Sequence, residues 1–334
     1  MRIILLATLF SLGLTTSVQT TTAQPALSNP PAEKANPASA LPLESVIVTA
    51  TKPSEAAIKH FVQTRAAPTP ILGRMARWTS KICPKTIGLG DAYAKYVTQR
   101  IRDIASAVGA PVNANPTCRP NIEVVFTTTP QGLMDNVRKG APVLLGYHHT
   151  LSQADELAKV THPIQAWYTT TSQDSYGSRN IDIGRCGPSG GTTLYTQMET
   201  GGTATAGVYQ LELPCAIGVH SNGWRAKDGL SSGFFNILIV AEPAKLFDYE
   251  VGSLADYITM LALSQPASLD SCQELPSVSN MLAPSCASTT RRITNGDLAY
   301  LHALYKLPDG NFLNVQRDYI RDEMEKSLVT DKRG

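Results

Sequence analysis

Six cysteines constrain the fold of this chain more than any other feature of its sequence, because each disulfide ties together two distant segments. They are Cys83, Cys118, Cys186, Cys215, Cys272 and Cys286. An even number in an exported chain predicts disulfides, and of the 15 possible pairings the simplest joins nearest neighbours. The absence of a CxxC pair argues against a structural zinc site and a thioredoxin-like redox role.

The first 23 residues predict a secretory signal peptide. Arg2 precedes the apolar run "IILLATLFSLGL", and "TTTAQP" follows, with cleavage expected after Ala23. The apolar run is shorter than the roughly 20 residues that span a bilayer, and no later segment is long and apolar enough. We therefore expect a periplasmic or secreted protein without a transmembrane segment after cleavage.

Composition divides the rest of the chain into a spacer and one domain. Residues 24–43 are rich in Pro, Ala, Ser and Asn and predict a disordered spacer, whereas residues 44–334 predict a single disulfide-stapled domain. A hydrophobic fraction of 43% is enough for a buried core. A formal charge of only +2, with scattered Lys and Arg, does not predict binding to nucleic acid. The Gly-rich "TGGTATAG" lacks the lysine of a phosphate-binding loop, so no cofactor is expected.

The segment "LESVIVTATK" resembles the TonB box of outer-membrane receptors, although the chain is too short to supply the plug and barrel of a receptor. Val46–Thr51 is β-branched and apolar, which suits an extended conformation. Three interpretations remain open: the first strand of the domain, which we prefer; a solvated spacer; or a segment that engages an envelope partner by strand addition.

Alternating helical and strand patterns predict an α+β fold, a mixed sheet with packed helices. One predicted helix begins behind Ser54 as its cap, and a second occupies "DAYAKYVTQRIRDIASAVGA" up to Gly109. Further helices are predicted at "PQGLMDNVRKG", at "SQADELAKV" with Ser152 as cap, at "SLADYITMLALS", at "DLAYLHALYK" behind "TNGD", and at the charged C-terminus. Predicted strands are "IEVVFTT", "PVLLGYH", "PIQAWYTT" and "GFFNILIVAE", and short hairpins and loops are expected between Thr171 and Ser232.

The C-terminal quarter resembles the corresponding half of matrixin-like metzincins, in which a strand, a zinc-binding helix, a Met-turn and a further helix follow in order. The counterparts here are "LADYITMLALS", "PSVSNML" and "ITNGDLAYLHALY". The alignment places Leu254, Ile258 and Ser264 at the three zinc-binding histidines, Ala255 at the catalytic glutamate and Leu261 at the glycine. A catalytic zinc needs about three N or O ligands, so the resemblance implies a zincin-like scaffold without metal or metzincin chemistry.

The chain also resembles a family of exported proteobacterial proteins of unknown activity, in which "PIQAWY", a core strand like "FFNILIV" and a helix like "LADYITMLALSQ" occur in similar order. This resemblance implies a compartment and no activity.

Two further patterns suggest hydrolase chemistry. "RCGPSGG" fits G-x-S-x-G at Ser189, but "GGTTLYTQ" after the serine does not predict the helix that a nucleophile elbow requires. His148 and His149 end a predicted strand, which would point them to opposite faces. A secreted hydrolase with a site near His148, His149 and Ser189 is therefore the alternative hypothesis.

The leading hypothesis is a non-catalytic envelope protein that binds a peptide, a protein or a cell-wall ligand. Trp167, Tyr168 and Trp224, together with His148, are the candidate ligand-binding residues. Tryptophan and tyrosine combine a large apolar area with a polar group, which suits a binding surface. A purely structural subunit of an envelope complex is the third possibility.

Overall fold

A mixed sheet forms the centre of the molecule. The computed structural model describes residues 53–184, 191–196, 199–200, 204–205, 209–214, 228–284, 286 and 290–330, all of which lie within a single compact unit, Thr51–Gly334. Val46–Thr51, the signal peptide and the spacer lie outside the described residues, so the predictions made for them are not tested.

Ten strands occur in the described part of the chain. They are β1 (Ala76–Arg77), β2 (Pro84–Ile87), β3 (Ile122–Phe126), β4 (Ile164–Gln173), β5 (Arg179–Ile181), β6 (Gly191–Thr196), β7 (Glu199–Thr200), β8 (Ala204–Thr205), β9 (Tyr209–Pro214) and β10 (Ser231–Ala241). The main sheet has the order β2-β3-β10-β4-β5, and β1 pairs with the start of β10. β2, β3 and β10 are parallel, whereas β4 and β5 are antiparallel to their neighbours. β6 pairs with β9 and β7 with β8, so the expected short hairpin-like strands are present between β5 and β10.

Seven helices occur among the described residues. They are α1 (Glu55–Arg65), α2 (Asp91–Ala107), α3 (Pro130–Gly140), α4 (Leu151–Leu157), α5 (Val251–Leu263), α6 (Asn295–Lys306) and α7 (Leu313–Thr330). Gly109 adopts φ 83° just beyond α2, a left-handed conformation that glycine adopts at low cost. Together with the sheet, these helices confirm the predicted α+β class.

Caps and side-chain periodicity explain where the helices begin. The Ser54 hydroxyl accepts the Ala57 N–H at the start of α1, and Thr294 and Asp297 form a capping box at α6, both as the sequence predicts. The predicted cap of α4 was wrong: its capping box is formed by Thr150 and Gln153, so the helix begins before Ser152.

The strand predicted at "PVLLGYH" was also wrong, since Pro142–Leu145 forms a 3-10 helix. Val143, Leu144 and Leu145 are all buried, and a four-residue apolar run satisfies a buried helical turn as well as a buried strand.

The sheet separates two hydrophobic clusters. The larger one includes α1, α2, α5 and α6 and is centred on side chains such as Trp78, Ile237 and Ile258. The smaller one lies on the other face, where α3 and the 3-10 helix cover Trp167 and Leu238. β10 contributes to both clusters, which explains why its sequence is a nearly continuous apolar run.

Two disulfides fix segments around this core, Cys83–Cys118 and Cys272–Cys286. Both match the nearest-neighbour pairing predicted from the sequence. Cys186 and Cys215 lie outside the described residues. In the part of the chain that the structure describes, no helix is long and apolar enough to cross a membrane.

Candidate functional site

An open groove of about 910 Å³ runs between β2, α2 and the loop that ends at the Cys83–Cys118 disulfide. We call it the α2 groove. Its walls are three short runs of chain: Cys83–Thr86 of the edge strand, one face of α2 from Asp91 to Arg102, and the loop residues Pro116, Thr117, Cys118 and Pro120. The helical residues recur at spacings of three and four, so they form one stripe beside the buried face that contains Val97 and Ile101.

The open edge of β2 forms one side of the groove, since β2 is the terminal strand of the sheet and pairs only with β3 among the described strands. The Cys83 carbonyl accepts the N–H groups of Asn121 and Ile122, so it faces β3. In a parallel ladder alternate residues face the partner strand, which directs the backbone of Pro84 and Thr86 to the open side. Proline has no N–H. The carbonyls of Pro84 and Thr86 and the Thr86 N–H therefore face this side, where both residues are buried and where Ile82, just before the strand, already pairs with Val112.

The groove is lined by more cationic than anionic side chains: Lys85, Lys95 and Arg102 against Asp91. Arg102 is already engaged, because it donates to the Asn113 carbonyl at 2.7 Å and to Cys118 Sγ at 3.6 Å. Lys85 and Lys95 are exposed, and no carboxylate of the described residues lies within ion-pair distance of either. Lys85 stands opposite Glu123 in the β2–β3 register, and its charge opposes the rise in the Glu123 pKa that burial causes, so its side chain lies on the sheet face away from α2. Lys95 is the exposed ammonium group on the helical wall of the groove.

Polar and aromatic groups complete the lining. The Thr98 hydroxyl donates to the Thr86 hydroxyl at 3.0 Å, which links helix to strand. Tyr96 lines the groove and is 43% exposed, and Tyr93, one turn earlier on α2, is 58% exposed. Exposed tyrosines are common in binding surfaces because the ring offers apolar area at a low entropic cost.

The predicted ligand-binding aromatics lie elsewhere. Trp167 is 4% exposed and donates its indole N–H to the Leu157 carbonyl. The Tyr168 hydroxyl donates to the carbonyls of Leu261 and Ser264, and burial raises its pKa. Trp167 is buried and Tyr168 is half-buried, and neither lines the α2 groove. Trp224 lies outside the described residues.

The region predicted for a hydrolase is described only in part. His148 donates from Nδ1 to the Gly146 carbonyl at 2.8 Å, and His149 Nε2 lies 2.6 Å from the Tyr147 hydroxyl. A Cβ atom at Gly184 would overlap the His148 carbonyl oxygen, so the backbones of Gly184 and His148 lie directly against each other. Ser189 itself lies outside the described residues.

Two other ionisable groups, His162 and Asp182, have the residue types of catalytic acids or bases. His162 contacts Asp270 at 3.1 Å and the Thr161 hydroxyl at 2.8 Å, but Asp270 is 63% exposed and the arrangement lies on the surface. Asp182 is 2% exposed; burial raises its pKa, and hydrogen bonds from Thr170 and Ser172 oppose that shift. A substrate cannot reach a carboxyl group this buried without a local opening.

The helix that aligns with the metzincin zinc-binding helix is α5, and it lies in the core. Leu254, Ile258 and Ser264 are all buried, and the Ser264 hydroxyl donates to the Met260 carbonyl of its own helix. Ala255 and Leu261 are likewise buried in the large cluster. No group of three or more His, Cys, Asp or Glu residues suited to a metal ion occurs in the described ranges.

Asp256, on the other side of α5, is fully buried and binds two arginines. It accepts Arg100 Nε at 2.6 Å, Arg292 Nε at 2.8 Å and the Ile293 N–H at 3.0 Å. Burial by itself would raise the pKa of Asp256, but these hydrogen bonds lower it below its usual range. The carboxylate is therefore ionised at neutral pH and joins α2 to α5, which fixes the helix that forms one wall of the α2 groove.

Asp297 fixes the loop that contains Met281. Its carboxylate accepts the Ser277 hydroxyl at 2.5 Å, the Val278 N–H at 2.9 Å and the Thr294 N–H at 3.1 Å. The order strand, helix, Met-containing loop and helix is thus present as β10, α5, Val278–Met281 and α6.

Comparisons of this chain with protein-family models, with curated proteins and with solved structures find no match. The residues of the site therefore carry the functional argument.

Sequence reasoning missed the α2 groove. β2 is only four residues long and contains a proline, so its sequence does not predict a strand. The available signal was the polar stripe of α2, in which Asp91, Lys95, Thr98 and Arg102 recur beside the apolar face.

Proposed function

We propose that this protein is an exported, non-catalytic binding protein of the bacterial cell envelope, built on a zincin-like scaffold without zinc ligands, and that the α2 groove holds its ligand. The observation that carries the proposal is the groove itself, which lies beside the terminal strand of the sheet and presents the exposed Lys95 and Tyr96 on its helical wall.

The lining favours binding over catalysis. Among the residues that line the groove there is no histidine, no serine and no free thiol, since both cysteines are joined in a disulfide. Nucleophilic catalysis needs an activated nucleophile beside a base, and the threonines here have no imidazole neighbour within the lining.

The described disulfides support the compartment. Disulfides persist in oxidising compartments, and Cys83–Cys118 and Cys272–Cys286 are both formed. Export through a cleaved signal peptide is part of the same proposal and is tested by N-terminal sequencing of the protein recovered from the periplasm or the medium.

The proposal predicts that a bulky side chain in the groove blocks binding. Oxidised protein is used to select peptides from a random display library, and the affinity of the enriched peptides is measured by fluorescence anisotropy. Gln99→Trp, at an exposed lining position, is expected to weaken binding about tenfold or more because it fills the groove.

Ser106→Trp is the matched control, since Ser106 is exposed on the same helix and does not line the groove. It is expected to bind like the wild type. A failure to enrich any peptide, or equal effects of the two tryptophans, would contradict the proposal.

A secreted hydrolase is the second candidate, favoured by the close approach of the Gly184 backbone to His148. Covalent labelling by a fluorophosphonate that disappears in Ser189→Ala would support it. Absence of labelling, and of activity on casein and a generic ester with or without added zinc, would remove it.

A further inference from the structure

We draw no further inference here: the strongest candidate, the buried Arg65 side chain at the last turn of α1, has no carboxylate within ion-pair distance among the described residues, but the C-terminal end of its own helix, the Ser279 hydroxyl and the Phe61 ring 5.9 Å away already accommodate its charge, so it does not indicate a bound anion.

Discussion

Asp297→Ala should lower the free energy of unfolding by about 4 kcal/mol. The carboxylate is fully buried and accepts hydrogen bonds from Ser277, Val278 and Thr294. Its removal leaves several buried donors without a partner, and unsatisfied buried groups cost about 1–3 kcal/mol each in a non-additive way. Equilibrium unfolding in urea with the disulfides intact measures the change.

Asp309→Ala is the control for Asp297→Ala. Asp309 is 64% exposed and contacts Arg77, and an exposed ion pair contributes about 0–1 kcal/mol. A loss below about 1 kcal/mol for Asp297→Ala, or equal losses for the two variants, would show that the loop around Met281 does not depend on the Asp297 hydrogen bonds.

Removing the Cys83–Cys118 disulfide by replacing both cysteines with alanine should cost about 4 kcal/mol. The bond closes a segment of 35 residues, and constraint of the unfolded chain increases with the length of the closed segment. Removing Cys272–Cys286, with a separation of 14, should cost about 3 kcal/mol. Denaturant unfolding of both double variants gives the comparison.

Loss of the Cys83–Cys118 disulfide should also weaken peptide binding in the α2 groove, even in protein that remains folded. Pro116, Thr117 and Cys118 lie in its wall, and Arg102 holds this loop through Asn113 and Cys118. A folded Cys83→Ala/Cys118→Ala protein should therefore bind the selected peptides less tightly, whereas Cys272→Ala/Cys286→Ala should bind them normally. Weaker binding by Cys272→Ala/Cys286→Ala than by Cys83→Ala/Cys118→Ala would contradict the assignment of the ligand to the α2 groove. A larger loss of unfolding free energy in Cys272→Ala/Cys286→Ala would contradict the predicted order of stabilities.

Local patterns predicted much of the fold because their physical causes are local. The helix from Asp91 followed from its apolar spacing and its terminal glycine, and the α6 capping box followed from "TNGD". The disulfide pairs followed from proximity along the chain. Pro142–Leu145 was assigned wrongly because four apolar residues fit either a strand or a helical turn.

The candidate site was much harder to predict. Its walls come from β2, α2 and the loop around Cys118, which is 35 residues after Cys83, and only tertiary packing brings them together. Conversely, the adjacent Trp167 and Tyr168 have the composition of a binding surface, yet one packs into each face of the sheet. The alternation of a central strand decides that outcome, and composition alone does not reveal which strand is central.

Hydrogen–deuterium exchange with and without an enriched peptide tests the central claim most directly. The account predicts that the peptide slows exchange in Cys83–Thr86 and along α2, the segments that line the groove. Protection confined instead to Gly146–His149 and the segment around Gly184, with the groove unchanged, would contradict the account and direct attention to the hydrolase candidate.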